Sequence, residues 1–469
     1  MKVSPQEVYL HGLGKFPDYV YSVDISSVGG RVYLVTGGAD SVARVWTLDA
    51  SSMLVVHSEL TGHSLGVNCV RFSPDGLNYI ATGSDDGKIV IWKQMPHFEI
   101  LGDVRWVAYK VCNCLDEVVD VCWSPCGQMV VGAAQREMSH IFNIHTGRTL
   151  QRLDGHTNRV LGVTWDPLGQ LIVSQSTDRT ARVYARSKRG TWYVKAQLKE
   201  WETAAAKSKL FMSDSHYPSD PTAHFFRRPQ FSPDGSMVVL PGGLFGSAFA
   251  VHLYSRRNLV TNASPTATFS TACSPALAVR FHPRKFVSEL PDVSPFYVYA
   301  VTTGNSFYVL RSDKDCPIAF GTDLHCTSLV DAAWSGDAET LALVSTDGYM
   351  TIVRFDRNEL GGTPDWSDYE VKKDVVSLVL VPRGEVSDED IISSPSTPGE
   401  LIPPYTPPSS FVQDTHAVSP GLESPSYHEN LSSVSPGLEL PEYPEKGLPV
   451  ITVVPTRRRI KPVVLTTNT

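Results

Sequence analysis

The chain has 469 residues, 42% of them apolar, and a formal net charge of −8. The apolar share suffices for a large core, and the acidic balance excludes a general nucleic-acid binder, so any DNA contact is expected to be indirect. No run of about 18 apolar residues is present to form a membrane span, and length alone suggests about three domains, a prior that internal repeats override.

The first residues, MKVSPQEVYLHG, hold no apolar run of signal-peptide length, so an intracellular protein is expected. One pattern then recurs: an apolar strand, a turn of the type S-P-D-G, a second apolar strand, a turn of small residues with Asp, and a third strand ending in an aromatic. It reads VNCVRFSPDGLNYIATGSDDGKIVIW at 67–92, VVDVCWSPCGQMVVGAAQREMSHIF at 118–142 and VLGVTWDPLGQLIVSQSTDRTARVY at 160–184. Weaker copies begin at 20, 227, 277 and 330. The ends of the seven first strands, Ile25, Phe72, Trp123, Trp165, Phe231, Phe281 and Trp334, are 47, 51, 42, 66, 50 and 53 residues apart. A four-stranded propeller repeat takes about 40–45 residues. The excess is assigned to polar connections at 94–103, 199–224 and 284–295, where a strand scaffold tolerates insertion.

The expected fold is therefore all-β: a seven-bladed β-propeller over residues 1–361. One such blade cannot bury both its faces, whereas seven stacked radially cover one another. The last copy lacks a fourth strand, and residues 2–10 are expected to supply it and close the ring.

Two copies carry a further mark. In LTGHSLGV, His63 lies 23 residues before Asp86, with Trp92 beyond; in LDGHTNRV, His156 lies 22 before Asp178. This resembles the Gly-His and Trp-Asp signature of WD-repeat propellers. The resemblance implies a hydrogen-bonded network inside each blade, structural rather than catalytic. The third copy has Arg136 where the Asp would fall, so its network is expected to be missing or different. Cys112, Cys114, Cys122 and Cys126 follow a C-x-C-x7-C-x3-C spacing outside the usual zinc patterns. They are read as free thiols in a reducing compartment, the cytosol or nucleus, with no metal or other cofactor. The basic spots RSKRG at 186–190 and Arg227–Arg228 flank the 199–224 insertion and are read as solvated loop charge, with an acidic partner or a nucleic-acid backbone as the alternative.

Residues 362–382 are expected to form an extension packed on the propeller. From 383 the composition changes: residues 383–450 hold eleven acids and two bases. Such a stretch cannot bury enough apolar surface to offset its ordering entropy, so 383–447 is expected to be a disordered linker. Ser394, Thr397, Thr406, Ser419, Ser424 and Ser435 each precede Pro and are candidate proline-directed phosphosites. SPGLESPSY and SPGLELPEY near-duplicate each other, as a docking motif would or as a drifted linker would. The chain then ends in a basic and apolar segment, TRRRIKPVVL at 456–465. An extended β-prone peptide of this kind gains affinity by adding a strand to a partner's sheet edge, while arginine suits acidic surfaces. A nuclear-localisation signal with an apolar end is the alternative. No phosphate loop, H-E-x-x-H or G-x-S-x-G motif is present, and the acids and histidines show no paired spacing, so no enzyme activity is expected.

VTWDPLGQ at 163–170, FFRRPQFSPDGS at 225–236, YSRRNL at 254–259 and STDGYMTIVRFDRNELG at 345–361 resemble the middle, propeller-bearing subunit of chromatin assembly factor one and, less closely, HIR-type histone-chaperone subunits. The resemblance implies nuclear deposition of core histones three and four onto newly replicated or repaired DNA, beside large and small partner subunits. It also implies that 448–469 binds the anti-silencing-function histone chaperone, through Arg458, Arg459, Ile460, Pro462 and Val463, with Arg457 and Leu465 extending the match. The order Arg-Arg-Arg-Ile-x-Pro looks like the HIR-type version of that motif. The propeller is expected to dock the large subunit while the tail acts as a tether. Two readings of other classes stay open: a substrate adaptor of a ubiquitin ligase, and a hydrolase acting at the central channel, which would need clustered acids or metal ligands at one channel mouth.

Overall fold

In the computed structural model the described residues are 1–364, apart from 7–9, 12–17, 29–30, 49–53, 75, 97–103, 137, 203–206, 210–224, 273, 288–293, 315, 337–338, 357–358 and 361. They form seven antiparallel sheets, here called blades I to VII. Blade I comprises Val20–Val28, Arg31–Gly38, Val42–Leu48 and Leu54–Thr61; blade II comprises Val67–Ser73, Gly76–Ser84, Lys88–Pro96 and Val104–Asn113. Blades III and IV follow the same plan from Val118 to Leu153 and from Val160 to Leu198. The first strand of each blade touches the first strand of the next, and that of blade VII touches that of blade I, so the ring closes.

Alternation explains why these sequences stack. In Val67–Ser73 and Val160–Trp165 nearly every residue is buried, because both faces of a blade's inner half are covered by neighbouring blades. The outermost strands are polar on one side: Thr149–Leu153 and Trp192–Leu198 bury only alternate or terminal residues. The core consists of apolar clusters between consecutive blades, such as Val35, Val45 and Leu60 of blade I against Val67, Val70 and Val90 of blade II.

Blade VII takes Leu329–Trp334, Thr340–Ser345 and Met350–Arg354 from the end of the propeller. Its fourth strand is Lys2–Gln6, paired antiparallel from Lys2 opposite Arg354 to Gln6 opposite Met350. The closing strand is thus shorter than the 2–10 expected. The N-terminal ammonium adds an ion pair with Glu359.

Blades V and VI depart from the regular plan. The inner strand of blade V is only Gln230–Phe231. Its neighbour Met237–Phe245 is longer and would leave an open edge at Leu244 and Phe245. The hairpin Trp201–Glu202 and Lys207–Lys209 pairs there, Ser208 opposite Phe245 and Lys209 opposite Leu244. The 199–224 insertion is therefore not wholly an irregular connection; part of it extends the sheet. In blade VI, Thr363–Pro364 pairs with Phe286 and Val287, and the rest of the 362–382 segment lies outside the described residues. Only one helix occurs among the described residues, Arg256–Thr261, capped by the Ser255 hydroxyl accepting from the Asn258 N–H. It is not long and apolar enough to cross a membrane.

Deleting residues 1–6 strips five paired positions from Met350–Arg354 and exposes a sheet edge. Urea unfolding of this truncation should show a loss of roughly 3–5 kcal/mol, about 1 for each ladder bond. An unchanged midpoint would mean that the ring closes without that strand.

Candidate functional site

The histidine networks form at the blade tips. In blade II, His63 Nδ1 lies 3.1 Å from Asp86 Oδ2, its Nε2 lies 2.7 Å from Thr82 Oγ1, and Trp92 Nε1 donates to the same hydroxyl at 2.9 Å. In blade IV, His156 sits 2.8 Å from Asp178 and 2.7 Å from the Ser174 hydroxyl. Two further networks carry no such mark in the sequence. His11 pairs with Asp40 at 2.7 Å and with Thr36 at 2.9 Å, and Trp46 donates to Thr36 at 2.8 Å. His325 pairs with Asp347 at 3.0 Å and takes its hydroxyl from Thr351 on the third strand. Arg136 of blade III instead reaches solvent, 3.6 Å from Asp116.

Burial pushes the Asp86, Asp178 and Asp347 carboxyls up, but the facing imidazoles and backbone N–H groups outweigh it, and all three lie below the usual carboxylate range. Burial also lowers His11 and His63, against the pull of their aspartates. These groups keep the loops in place; nothing in them faces a substrate.

The cysteines expected to be free are free, and among the described residues no three His, Cys, Asp or Glu side chains gather as a metal would need. Burial raises the Cys69 and Cys112 thiols to about 12 and Cys122 to about 11. Cys69 and Cys122 have a different task. Each blade's first strand faces the central channel with one edge unpaired, and its N–H groups need acceptors. The preceding blade supplies them. Ser22 Oγ accepts from Val70 N at 3.2 Å, Cys69 Sγ from Val121 N at 3.2 Å, Asp120 Oδ2 from Val163 N at 3.1 Å and Asp331 Oδ2 from Val23 N at 3.3 Å. One turn of the pleat along, Asp24 accepts from Phe72 N at 2.8 Å and Cys122 from Trp165 N at 3.2 Å.

Arg227 and Arg228, read as solvated loop charge, are instead fully buried. The reason is the short inner strand of blade V. The chain before it crosses toward the channel, with Arg227 N bonded to Leu161 O of blade IV and Arg228 N to Leu277 O of blade VI. Gly162 of blade IV is required there, since any Cβ would collide with the Arg227 carbonyl. The Arg228 side chain then spans the channel. It donates to the carbonyls of Tyr21 at 2.9 Å, Val330 at 2.9 Å and Asn68 at 2.7 Å, in blades I, VII and II. By contrast, Lys188 and Arg189 of the 186–190 spot are exposed in a turn.

Arg228 belongs to an ion network on the channel axis. Asp331 takes Arg280 at 2.7 Å, Arg71 at 3.0 Å and Arg228 at 3.5 Å, plus the Ser22 hydroxyl at 2.8 Å. Asp120 stands 3.6 Å from Arg228 and 3.8 Å from Arg71. Burial would raise Asp331, but the three guanidiniums outweigh it and hold the carboxyl well below the usual range. Burial lowers Arg280, whereas the surrounding aspartates more than offset burial at Arg71. The channel is thus plugged by paired charge.

Beside the plug, at the mouth between blades I, II and III, lies a hollow of about 490 Å³ walled by Tyr19, Tyr21, Leu65 and Phe225, with Asp85 and Glu117 on its rim. Arg457, Arg458, Arg459, Ile460, Pro462, Val463 and Leu465 lie outside the described residues, as do Ser394, Thr397, Thr406, Ser419, Ser424 and Ser435.

The chain is similar to members of one family. The CAF1B/HIR1 beta-propeller domain matches residues 1–360. A chromatin assembly factor 1 subunit FAS2 homolog of Oryza sativa subsp. japonica is 35% identical over 373 residues, 73% of this chain and 71% of that protein. A chromatin assembly factor 1 subunit of Gallus gallus is 29% identical, covering 87% of this chain and 78% of that protein. Protein HIR1 of Kluyveromyces lactis is 26% identical over 73% of this chain and 42% of its own length.

Two outcomes follow from the geometry. Arg228→Met leaves Asp331 and Asp120 short of a cation and should cost about 3–5 kcal/mol in urea unfolding, whereas Arg189→Ala should stay within about 0.5. Equal, small effects would return Arg228 to the solvated class. Because His11 and His63 lie below their unfolded value of about 6.5, their contribution is complete above that pH and is lost as pH falls through the lowered folded values. Thermal scans should therefore show Tm falling from about pH 6.5 toward pH 5, with a shallower fall in His63→Asn.

Proposed function

Because the chain belongs to the CAF1B/HIR1 beta-propeller family, we propose that it is the propeller-bearing subunit of a nuclear complex that deposits core histones three and four onto newly replicated or repaired DNA. The observation that carries this is the match over residues 1–360 together with relatives named as chromatin assembly factor 1 subunits. The role is scaffolding. The blades offer rigid docking surfaces to a large and a small partner subunit, and the axis of the ring is filled by side chains that neutralise one another. No reaction is assigned to it.

The second element of the reading is the segment 448–469. Arg457, Arg458 and Arg459 supply forks for an acidic partner surface, and Ile460, Val463 and Leu465 supply apolar anchors stiffened by Pro462. This segment captures the anti-silencing-function histone chaperone by strand addition and brings its cargo near the propeller. Phosphorylation at Ser394, Thr397, Thr406, Ser419, Ser424 or Ser435 would add charge to the intervening acidic stretch and tune the capture. Replication-independent deposition of the HIR type is the second reading, favoured by the Arg-Arg-Arg-Ile-x-Pro order; the higher identity to the rice and chicken relatives favours the first.

Calorimetric titration of a peptide spanning 448–469 into the anti-silencing-function chaperone should give micromolar or tighter binding, and an Arg458→Ala/Ile460→Ala peptide should lose about a hundredfold, the sum of one charge-assisted and one apolar anchor. No binding by the unmodified peptide would remove the capture role and leave the segment as a localisation signal or spacer.

A further inference from the structure

Blades I to IV share one backbone contact at the channel mouth. The N–H of the residue after the second strand bonds the carbonyl before the first strand: Ala39 to Tyr19, Asp85 to Gly66, Gln135 to Glu117, Thr177 to Arg159, and again Thr346 to Ser328 in blade VII. The position occupied by Asp85 is thus Ala, Gln, Thr and Thr in the other blades. Its neighbour Asp86 serves His63, so the network of blade II does not need Asp85. The first acid of the S-D-D-G turn is an addition to the repeat.

What Asp85 faces gives it a use. Tyr19, Leu65 and Phe225 on the wall of the hollow are 53%, 54% and 39% exposed, far beyond what packing of the ring requires. Tyr19 and Tyr21 stand 6.2 Å apart, and Tyr21 and Phe226 5.9 Å, a row of three tilted rings. The floor already holds one cation on an aromatic face: the Arg228 guanidinium lies 4.2 Å from the Phe226 ring centre. On the rim, burial raises the Asp85 carboxyl and Asp86 raises it further, against the hydrogen bond from Asn68. Glu117 is raised by burial and then by Asp85 and Asp116, with Arg159 and Arg136 opposing. Among the described residues neither Asp85 nor Glu117 has a lysine or arginine within ion-pair distance. A second hollow of about 320 Å³ adjoins through these same two carboxylates and is bordered by Leu115, 83% exposed.

We propose that the hollow at the channel mouth binds the arginine or lysine side chain of an extended partner peptide, with the Tyr19–Tyr21–Phe225 wall against its stem and Asp85 and Glu117 pairing its charge. Aromatic faces and carboxylates together select a cation that carries its own apolar stem. The apolar surface continuing past Leu65 to Leu115 suits a peptide with aliphatic residues beside the cation, rather than a small amine. This site is separate from the segment 448–469 and does not rest on its role.

The test uses the full-length protein and three fluorescein-labelled peptides: arginine alternating with leucine, lysine alternating with leucine, and glutamine alternating with leucine. Fluorescence anisotropy should show the cationic peptides binding at least about tenfold more tightly than the neutral one, as a charge-assisted pair gives. Asp85→Asn/Glu117→Gln should abolish most of that difference. Tyr19→Ala, at an exposed position that the fold does not need, should weaken the cationic peptides by about three- to fivefold. Asp356→Asn, an exposed acid away from the hollow, should leave binding unchanged. Equal binding of all three peptides overturns the proposal, as does an equal loss in Asp356→Asn, which would mark a general charge effect. Binding that emerges only after residues 448–469 are removed also overturns it, assigning the hollow to the chain's own basic end. Should the double variant fail to fold, the Tyr19→Ala result decides.

Discussion

The inner edge of each blade is the constraint on which the ring depends. A sheet edge in a water-poor channel cannot keep its N–H groups unpaired, since each costs about as much as a lost hydrogen bond. A closed barrel would abolish the edge, but a propeller keeps seven of them. Here the answer is side chains from the preceding blade: Ser22, Cys69, Asp120 and Asp331 at one level, Asp24 and Cys122 at the next. Using aspartate for this creates buried negative charge, which must be matched. Arg71, Arg228 and Arg280 match Asp24, Asp120 and Asp331 three for three. The acceptors satisfy the edges, the arginines satisfy the acceptors, and the order of blades around the axis is thereby fixed.

Blade V shows how tightly these requirements couple distant residues. Its inner strand is too short to line the channel, and the segment Phe226–Pro229 fills the gap with main chain and with Arg228. That entry needs Gly162 in blade IV to leave room for the Arg227 carbonyl. Outside the channel, blades IV and V are tied again: Arg256 grips the buried Asp166 carboxylate with two 2.8 Å contacts. A bidentate pair of this kind fixes orientation as well as distance. VTWDPLGQ, FFRRPQFSPDGS and YSRRNL, the strings most distinctive in the sequence, are therefore the parts that hold an irregular blade between its neighbours.

The seven-bladed plan was legible because alternation and turn chemistry repeat every 40 to 50 residues or so, and each copy reinforces the others. The networks of His63 and His156 were legible because Gly precedes each His and the spacing to Asp is 23 and 22 residues. His325 has the same spacing, 22, to Asp347 but lacks the preceding glycine and draws its hydroxyl from Thr351. His11 stands nine residues before its strand instead of four. Those were local signals with one part altered. Arg228 was illegible for a deeper reason. Its carboxylate partners are 108 residues before it and 103 after it, and an arginine pair beside a long insertion looks like surface charge until the ring brings Asp120 and Asp331 to the same axis.

The same division explains where a scaffold of this kind can hold a partner. A buried ion network is a poor place for recognition, because every group in it is already committed and removing one strands the others. The mouth beside it is different. There the repeat leaves freedom, since only a backbone contact is required at the position of Ala39, Asp85, Gln135, Thr177 and Thr346, and the side chain is not constrained by closure of the ring. Blade II uses that freedom for an acid, and blade I sets Tyr19 and Tyr21 opposite. The plug beneath contributes by position: Arg228 holds Phe226 from below and is bonded to the Tyr21 carbonyl, so the aromatic wall rests on the most tightly held part of the molecule. Recognition at the mouth thus borrows its rigidity from the network that closes the ring.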